Sequence, residues 1–415
     1  MTYLPRALEQ QLDLFMPEVA AIAIEGPKGV GKTSTAEQRS QRTIRLDQQE
    51  DQALFQADPN FERFETGTIL IDEWQKLPEV WDRVRRAVDD GAAPGRFLLT
   101  GSATPVSGTD THSGAGRILS LRMRPMALFE RAGAKASISL QALMAGTADL
   151  SGSTDVALQD YATAIAESGL PGIQPLSPMV RTSQLDSYLQ RVVDRELVEQ
   201  GYMVRDKQSL MNWLRSYAAA TATEASYNQI LDGATPSESD KPSKKTTMKY
   251  REKLSEIWLL DPLPAWNFAM NPFPRISQGE THFLADPALA ARLLGLSERN
   301  LLLPKNTRML GALFEALAVL SVRVAAEANF AKVGHFRSLD GGREIDIIVE
   351  TQDGGIIPIE VKLTATPNDD DVRHLLWLRD KLPDDVIDMV MITTGKHAYR
   401  RPDGVAVIPL ALLCA

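Results

Sequence analysis

The sequence predicts an α/β chain in three parts: an open parallel sheet, a helical middle and a second α/β unit. Three observations carry that expectation. Over residues 1–135 short apolar runs alternate with helical stretches, the pattern of an open sheet. From about residue 140 the apolar spacing becomes helical, and near residue 300 strand-like runs return. A chain of 415 residues also exceeds one ordinary core, so two or three domains are expected.

Composition narrows the class. A hydrophobic share of 44% with 24% charged residues is that of a soluble globular protein. A net charge of −9 excludes whole-surface attraction to nucleic acid and leaves room only for a local basic patch. The single cysteine, Cys414, forms no internal disulfide, which fits a reducing compartment. The N-terminus shows no basic segment followed by an apolar run, and no stretch approaches roughly eighteen consecutive apolar residues. The expectation is a cytoplasmic protein without a membrane span.

In chain order, "AAIAIEG" (20–26), "TIRLD" (43–47), "GTILIDE" (67–73), "RFLLTGS" (96–102) and "RILSLR" (117–122) read as strands. Unbroken apolarity at 69–71 and 97–99 suits parallel strands covered on both faces. "LPEVWDRVRRAVDDG" has a helical stripe that stops at Gly91. The five segments "SISLQALMAG", "LQDYATAIAESG", "RTSQLDSYLQRVVDRELVEQG", "SLMNWLRSYAAATATEASYNQIL" and "TTMKYREKLSEIWLLDPLPAW" continue as helices, the last ending in an extended, proline-containing run. "DGATPSESDKPSKK" (232–245) is polar and rich in breakers, hence a loop.

Gly26-Pro27-Lys28-Gly29-Val30-Gly31-Lys32-Thr33, followed by Ser34, matches the phosphate-binding loop (P-loop) pattern position for position. Glycines let the backbone N–H groups turn inward toward phosphates, and the following helix adds its positive end. Lys32 is placed for the β- and γ-phosphates of ATP, and the Thr33 hydroxyl for Mg²⁺. "TILIDEWQ" then ends an apolar strand on two acids. Asp72 suits a Mg²⁺-associated carboxylate and Glu73 the base that polarises an attacking water; a capping role is the alternative. "RFLLTGSATP" offers a further strand-end hydroxyl, Thr100 or Ser102.

These residues resemble an AAA-type P-loop ATPase, and more narrowly the prokaryotic ATPases whose C-terminal half is a widespread domain of unknown function. The resemblance rests on "GPKGVGKTS", "TILIDEWQKLPEVWDRVRRAVD", "RFLLTGSATP" and "HSGAGRILSLRMRPMALFE". Later segments, among them "IAESGLPGI", "YLQRVVDRELVE" and "LGALFEALAVLSV", extend it over nearly the whole chain. It implies that Ser102 senses the γ-phosphate. It also puts Arg117 close to the nucleotide, or to a neighbour's nucleotide in a homo-oligomer.

Residues 136–207 read as a helical lid and linker, and 208–298 as a winged-helix-like domain. There "SYNQILD" would be the first helix of a helix-turn-helix and "SKKTTMKYREKLSEIWLL" the second, capped by Ser or Thr. Lys244, Lys245, Lys249, Arg251 and Lys253 would meet DNA phosphates; the alternative is a solvated helix face. Trp258 and Trp266 read as core.

Over residues 299–415, "EIDIIVETQDGGIIPIEVKL" turns at Asp353-Gly354-Gly355. A five-residue loop sets Glu350 opposite Ile356, then Asp346 opposite Glu360 and Glu344 opposite Lys362. Ile345, Ile347, Val349, Ile357, Ile359, Val361 and Leu363 fall together on the core face. Facing carboxylates call for a cation between them. "GREIDIIVE" and "IEVK" resemble the Asp…Glu-x-Lys arrangement of the restriction-endonuclease-like fold, which implies Mg²⁺ on Asp346 and Glu360, with Lys362 beside it and Glu315 as the helical acid. Alternatives are a degenerate, binding-only domain and a surface charge ladder.

The expected function is Mg²⁺-dependent ATP hydrolysis that drives or gates a conformational change, coupled to DNA. Two others stand beside it: a nucleotide-switched scaffold with negligible turnover, and a DNA nuclease with a regulatory ATPase.

Overall fold

Strand β1 (Ala21–Glu25) lies at the heart of a five-stranded parallel sheet with β2 (Arg42–Arg45), β3 (Ile69–Asp72), β4 (Phe97–Gly101) and β5 (Ile118–Arg122). The computed structural model describes residues 3–58, 61, 66–102, 114–234, 243–266, 279–338 and 341–415. Spatial order is β2-β3-β4-β1-β5, and each adjacent pair runs parallel. The two-residue period of a strand sends alternate side chains to opposite faces. Ile22, Ile24, Leu70 and Leu98 join one apolar layer; Ala21, Ala23, Ile69, Ile71, Phe97 and Leu99 join the other. Every residue of β3 and β4 is buried, as unbroken apolar runs require.

Helices α1 (Leu8–Phe15), α2 (Lys32–Glu37), α3 (Gln49–Ala57) and α4 (Glu79–Asp89) accompany this sheet. The chain leaves β1 to cross β4 and β3 on its way to β2, whereas it passes from β4 to β5 on the other side of β1. The crevice beyond the carboxyl ends of β1 and β4 is therefore the place where open α/β sheets take ligands.

The middle begins with β6 (Ile138–Ser139), α5 (Leu140–Met144), α6 (Leu158–Glu167) and α7 (Pro178–Arg191). A π-helical turn over Val192–Glu196 leads into α8 (Leu197–Glu199), followed by α9 (Lys207–Ala219), α10 (Tyr227–Gly233) and α11 (Lys244–Glu256). Ser226 caps α10, and Ser243 caps α11 as the sequence led us to expect. After α11, antiparallel bridges Leu260–Leu284 and Leu263–Thr281 form the base of an extended hairpin. Its tip, like most of the 232–245 loop, lies outside the described residues. Trp266 is 5% exposed and packs in the core.

Two short helices, α12 (Pro287–Leu293) and α13 (Glu298–Leu301), precede the 22-residue α14 (Thr307–Ala328). Then come β7 (Lys332–Arg337), β8 (Glu344–Glu350), β9 (Ile356–Val361), α15 (Asp369–Lys381), β10 (Val390–Thr393), β11 (Tyr399–Arg400), β12 (Ala406–Pro409) and β13 (Leu413–Cys414). They build a mixed six-stranded sheet of order β11-β12-β10-β9-β8-β7. Strand β13 pairs with β6, so the last residues return to the segment that follows the first sheet.

The β8–β9 hairpin has the expected register, Glu350 opposite Ile356 through Ile347 opposite Ile359. Pro358 is accommodated because pairing with β10 begins only at Ile359. One expectation is corrected. Gly334 pairs with Ile348 but Phe336 pairs with Ile345, so Asp346 and Ile347 together oppose the single residue His335. This bulge reverses the alternation: Ile347 and Val349 stay in the layer with Ile357 and Ile359, while Ile345 packs with Ile348, Val372 and Leu375.

One continuous apolar core runs from Leu8 and Ile22 through Trp213 to Leu317 and Leu413. Helix α14 is its spine. Among the described residues one helical stretch, Pro304–Ala328, is long and apolar enough to cross a membrane, yet 72% of its apolar window is buried inside the protein.

Candidate functional site

Three glycines shape the loop after β1. Gly26, Gly29 and Gly31 have φ of 151°, 82° and 101°, values that other residues rarely adopt. At Gly26 a Cβ would stand 2.1 Å from the carbonyl oxygen of Met123, so no side chain fits there. The loop closes on Lys32, whose Nζ donates to the carbonyls of Gly26 and Pro27 at 2.8 and 2.9 Å. Burial pulls its pKa down to about 8, against the opposing pull of Glu73 and Asp72.

A cavity of about 740 Å³ opens over this loop. Lys28 to Thr35 form one side; Tyr3, Leu4, Met126 and Pro171 give the other an apolar wall suited to a flat heterocycle. Arg6 fastens the two sides, donating to the carbonyls of Val30 and Arg124 at 2.7 and 2.8 Å and pairing with buried Glu130 at 3.1 Å.

At the end of β3, Asp72 accepts two hydroxyl bonds on one oxygen, from Thr33 at 2.8 Å and Thr100 at 2.5 Å. Thr33 and Asp72 are adjacent hard-oxygen donors and fit a magnesium ion; Thr100 orients the carboxylate. Glu73 follows with φ of 54°, held in this left-handed conformation by a 3₁₀ turn whose Trp74 is buried against Trp81, ring centroids 4.6 Å apart. Glu73 lines the same cavity as Lys32. Burial and then Asp72 raise its pKa, while Lys32, Lys28 and Gln75 act the other way.

Ser102 lies across from Glu73 and is linked to it by Gln75, whose Nε2 donates to Glu73 Oε2 at 2.6 Å and to Ser102 Oγ at 3.2 Å. Ser102 also lines a second cavity of about 320 Å³ with Lys28, Gly29, Arg191 and Arg195. The α7–α8 segment covers this side. Lys28 pairs with Glu196 at 2.8 Å, Lys76 pairs with Glu199 at 2.9 Å, and Tyr188 donates to the Lys28 carbonyl at 3.2 Å. Pro27 offers Lys32 its carbonyl, and Ser34 lines the first cavity beside Thr33.

Arg117 does not join the group. It pairs with Asp89 at the end of α4 at 2.9 Å, with about half of its side chain exposed, and it lines neither cavity. The turn before β5 directs it to α4.

A second polar cluster forms in the C-terminal sheet. Asp346, turned by the bulge, accepts from the Val361 N–H at 2.8 Å. Lys362 Nζ stands 3.1 Å from Glu360 and 3.9 Å from Asp346. The His374 ring lies 3.9 Å from Glu360. Burial first, then Asp346, raises the pKa of both Glu360 and Glu315 well above the carboxylate range, and Lys362 opposes both shifts. Glu315 and Lys362 share a cavity of about 600 Å³ with Lys305 and Arg308. The four predicted residues thus converge, although no group of three or more His, Cys, Asp or Glu among the described residues is placed to hold a metal. Two carboxylates and an adjacent lysine fit a hard cation only in part.

On α11, Thr247, Tyr250 and Leu254 face inward, leaving Lys244, Lys245, Lys249 and Arg251 outside. Arg251 lies over the Tyr227 ring at 4.5 Å and Lys253 is paired with Glu256 at 2.7 Å.

Comparison with known families bears on the first unit: residues 18–132 match the AAA domain family, to which this unit is similar. Behind it, residues 158–300 match a domain of unknown function (DUF8612) and residues 310–413 another (DUF4143). The chain is 25% identical over 352 residues to an uncharacterized protein of Mycobacterium bovis and, equally, to one of Mycobacterium tuberculosis. Those matches cover 83% of this chain and 68% of each relative. Among solved structures, a RuvB mutant from Thermotoga maritima is similar at 14% identity and a TM-score of 0.28, over 68% of this chain and 96% of that one.

Gln75, Arg6, Glu130 and the Glu196–Lys28 pair were not expected from the sequence. Gln75 lies in "TILIDEWQ", Glu130 in "MALFE" and Glu196 in "YLQRVVDRELVE", segments in which those residues carried no assigned chemistry.

Proposed function

We propose that this protein binds ATP with Mg²⁺ over its P-loop and hydrolyses it, and that turnover drives or gates a rearrangement of the parts behind the AAA domain. One observation carries the reading: Lys32, Thr33, Asp72 and Glu73, from three elements, meet at the crevice beyond β1. Lys32 exchanges its loop carbonyls for phosphate oxygens when nucleotide enters. Thr33 and Asp72 would hold Mg²⁺, which would supply charge neutralisation at the terminal phosphates. Glu73 orients a water and accepts its proton; Ser102 stands where a hydroxyl contacts the γ-phosphate. Because Lys28 ties the loop to Glu196, a phosphate that recruits Lys28 releases the α7–α8 cover.

Exposed lysines on α11, beside a hairpin base, support coupling to DNA through a winged-helix-like region. Arg117, on the surface, is left to act on a neighbour's nucleotide if the protein is a homo-oligomer. The lone cysteine supports a reducing, cytoplasmic setting.

Steady-state phosphate release tests the main reading. Wild type turns over ATP, and Glu73→Gln binds MgATP but releases at least about tenfold less phosphate. Binding without turnover in the wild type makes the protein a nucleotide-switched scaffold instead. A second reading has its own observation, the convergence of Glu315, Asp346, Glu360 and Lys362 in a restriction-endonuclease-like arrangement. There the expected outcome is Mg²⁺- or Mn²⁺-dependent plasmid cleavage that disappears in Asp346→Ala.

A further inference from the structure

We infer that Gln75 is a positioning residue for ATP hydrolysis: its amide N–H groups hold the Glu73 carboxylate and the Ser102 hydroxyl in one frame. The inference rests on the hydrolytic reading above.

Geometry supplies the first argument. Gln75 Nε2 donates to Glu73 Oε2 at 2.6 Å and to Ser102 Oγ at 3.2 Å, so a single –NH₂ group bridges the ends of β3 and β4. An ionised carboxylate only accepts, which fixes the amide orientation: Nε2 must face Glu73 and Oε1 must point elsewhere. That oxygen is buried and has no hydrogen-bond partner among the described residues. It faces the Gly101 backbone and neither cavity, so the working contacts of the amide are those of its –NH₂ group with Glu73 and Ser102.

The backbone is built to keep the amide there. Glu73 at φ of 54° starts the tight turn that returns Gln75 toward β4. Gly101, the last residue of β4, leaves the necessary room: a Cβ at that position would come within 2.9 Å of Gln75 Oε1 and 2.6 Å of Trp74 Nε1.

The test uses the full-length protein and four variants: Gln75→Ala, the isosteric Gln75→Glu, Glu73→Gln and the double variant Glu73→Gln/Gln75→Ala. Gln75→Glu keeps the side-chain volume while removing the amide N–H groups, so it serves if Gln75→Ala misfolds. Phosphate release is followed against MgATP concentration, and nucleotide affinity is measured separately by calorimetry. The expected result is a kcat at least about tenfold lower in both Gln75 variants, with KM and affinity within about threefold of wild type. In the Glu73→Gln background, Gln75→Ala costs nothing further, because the residue acts through Glu73. Multiplicative losses in that cycle, or a parallel loss of affinity, reduce Gln75 to a structural contact and overturn the inference. A Gln75→Ala enzyme with wild-type kcat overturns it while leaving hydrolysis standing. A wild type without turnover removes the hydrolytic reading and this inference together.

Discussion

Lys32 donates to two carbonyls of its own loop and sits behind the cavity mouth, which ties phosphate recognition to a side chain already folded inward. Lys32→Ala removes that donor without disturbing β1, and calorimetry should record at least about a tenfold loss of MgATP affinity. Gly101 is a second sensitive point. Gly101→Ala forces its Cβ against Trp74 and Gln75, at a cost of about 1–3 kcal/mol of stability and with a fall in turnover. Thermal melts and phosphate release read the two effects separately. At this level the P-loop, Asp72 and Glu73 were legible in the sequence, since each is a local pattern of a strand followed by its turn. Gln75 was not legible, because its partners Glu73 and Ser102 end different strands and only the sheet brings them together. The Arg117–Asp89 pair was not legible for the same reason: Asp89 lies on another element.

Among the elements, α11 presents an outward row of Lys244, Lys245 and Lys249 around an apolar inward face of Tyr250 and Leu254. Replacing all three lysines with Ala leaves that inward face intact. If the row meets DNA phosphates, affinity falls alike for any sequence, and the slope of log K against log salt shrinks by about 0.9 for each phosphate that a lysine no longer neutralises. Fluorescence anisotropy over a salt series measures it; an unchanged slope removes α11 from the interface. The β8–β9 hairpin shows how far an element can be read from its own residues. The Asp-Gly-Gly turn set the pairing of Glu350 with Ile356 correctly. The bulge at Asp346–Ile347 escaped, since it exists only against β7, a strand the turn does not specify. That bulge is what aims Asp346 at the Val361 N–H beside Glu360 and Lys362.

The whole molecule is joined by a buried charge cluster as well as by the shared core. Asp261, at the end of the middle region, pairs with Arg122 at 2.9 Å, Arg124 at 2.7 Å and Arg323 at 3.0 Å, so β5 of the first sheet, the middle and α14 meet on one carboxylate. Arg124 also pairs with Glu327 of α14. Arg122 pairs in register with Glu25, the residue before Gly26, which puts the cluster one strand away from the P-loop. Asp261→Asn takes the shared carboxylate from Arg122 and Arg323 and leaves Arg124 with Glu327 alone, and should destabilise the fold by about 3–5 kcal/mol, read as a lower denaturant midpoint. Burial opposes the charge on Asp261, yet the three arginines hold its pKa far below the usual carboxylate range. Its contribution is therefore complete above the ordinary carboxylate pKa, near pH 4, and is lost only as pH falls toward the depressed value. The gap between wild type and Asp261→Asn should stay constant above about pH 5 and narrow in stronger acid. Nothing local in the sequence announces this cluster, because its members lie far apart along the chain and meet only when the three parts close on one core.

The reading of this protein stands on ATP seated with magnesium over the P-loop. Calorimetric titration of MgATP into the full-length wild type should give saturable binding near one nucleotide per chain, abolished by Lys32→Ala. Folded wild-type protein that takes up no nucleotide, or a Lys32→Ala variant that binds it equally well, would contradict the account.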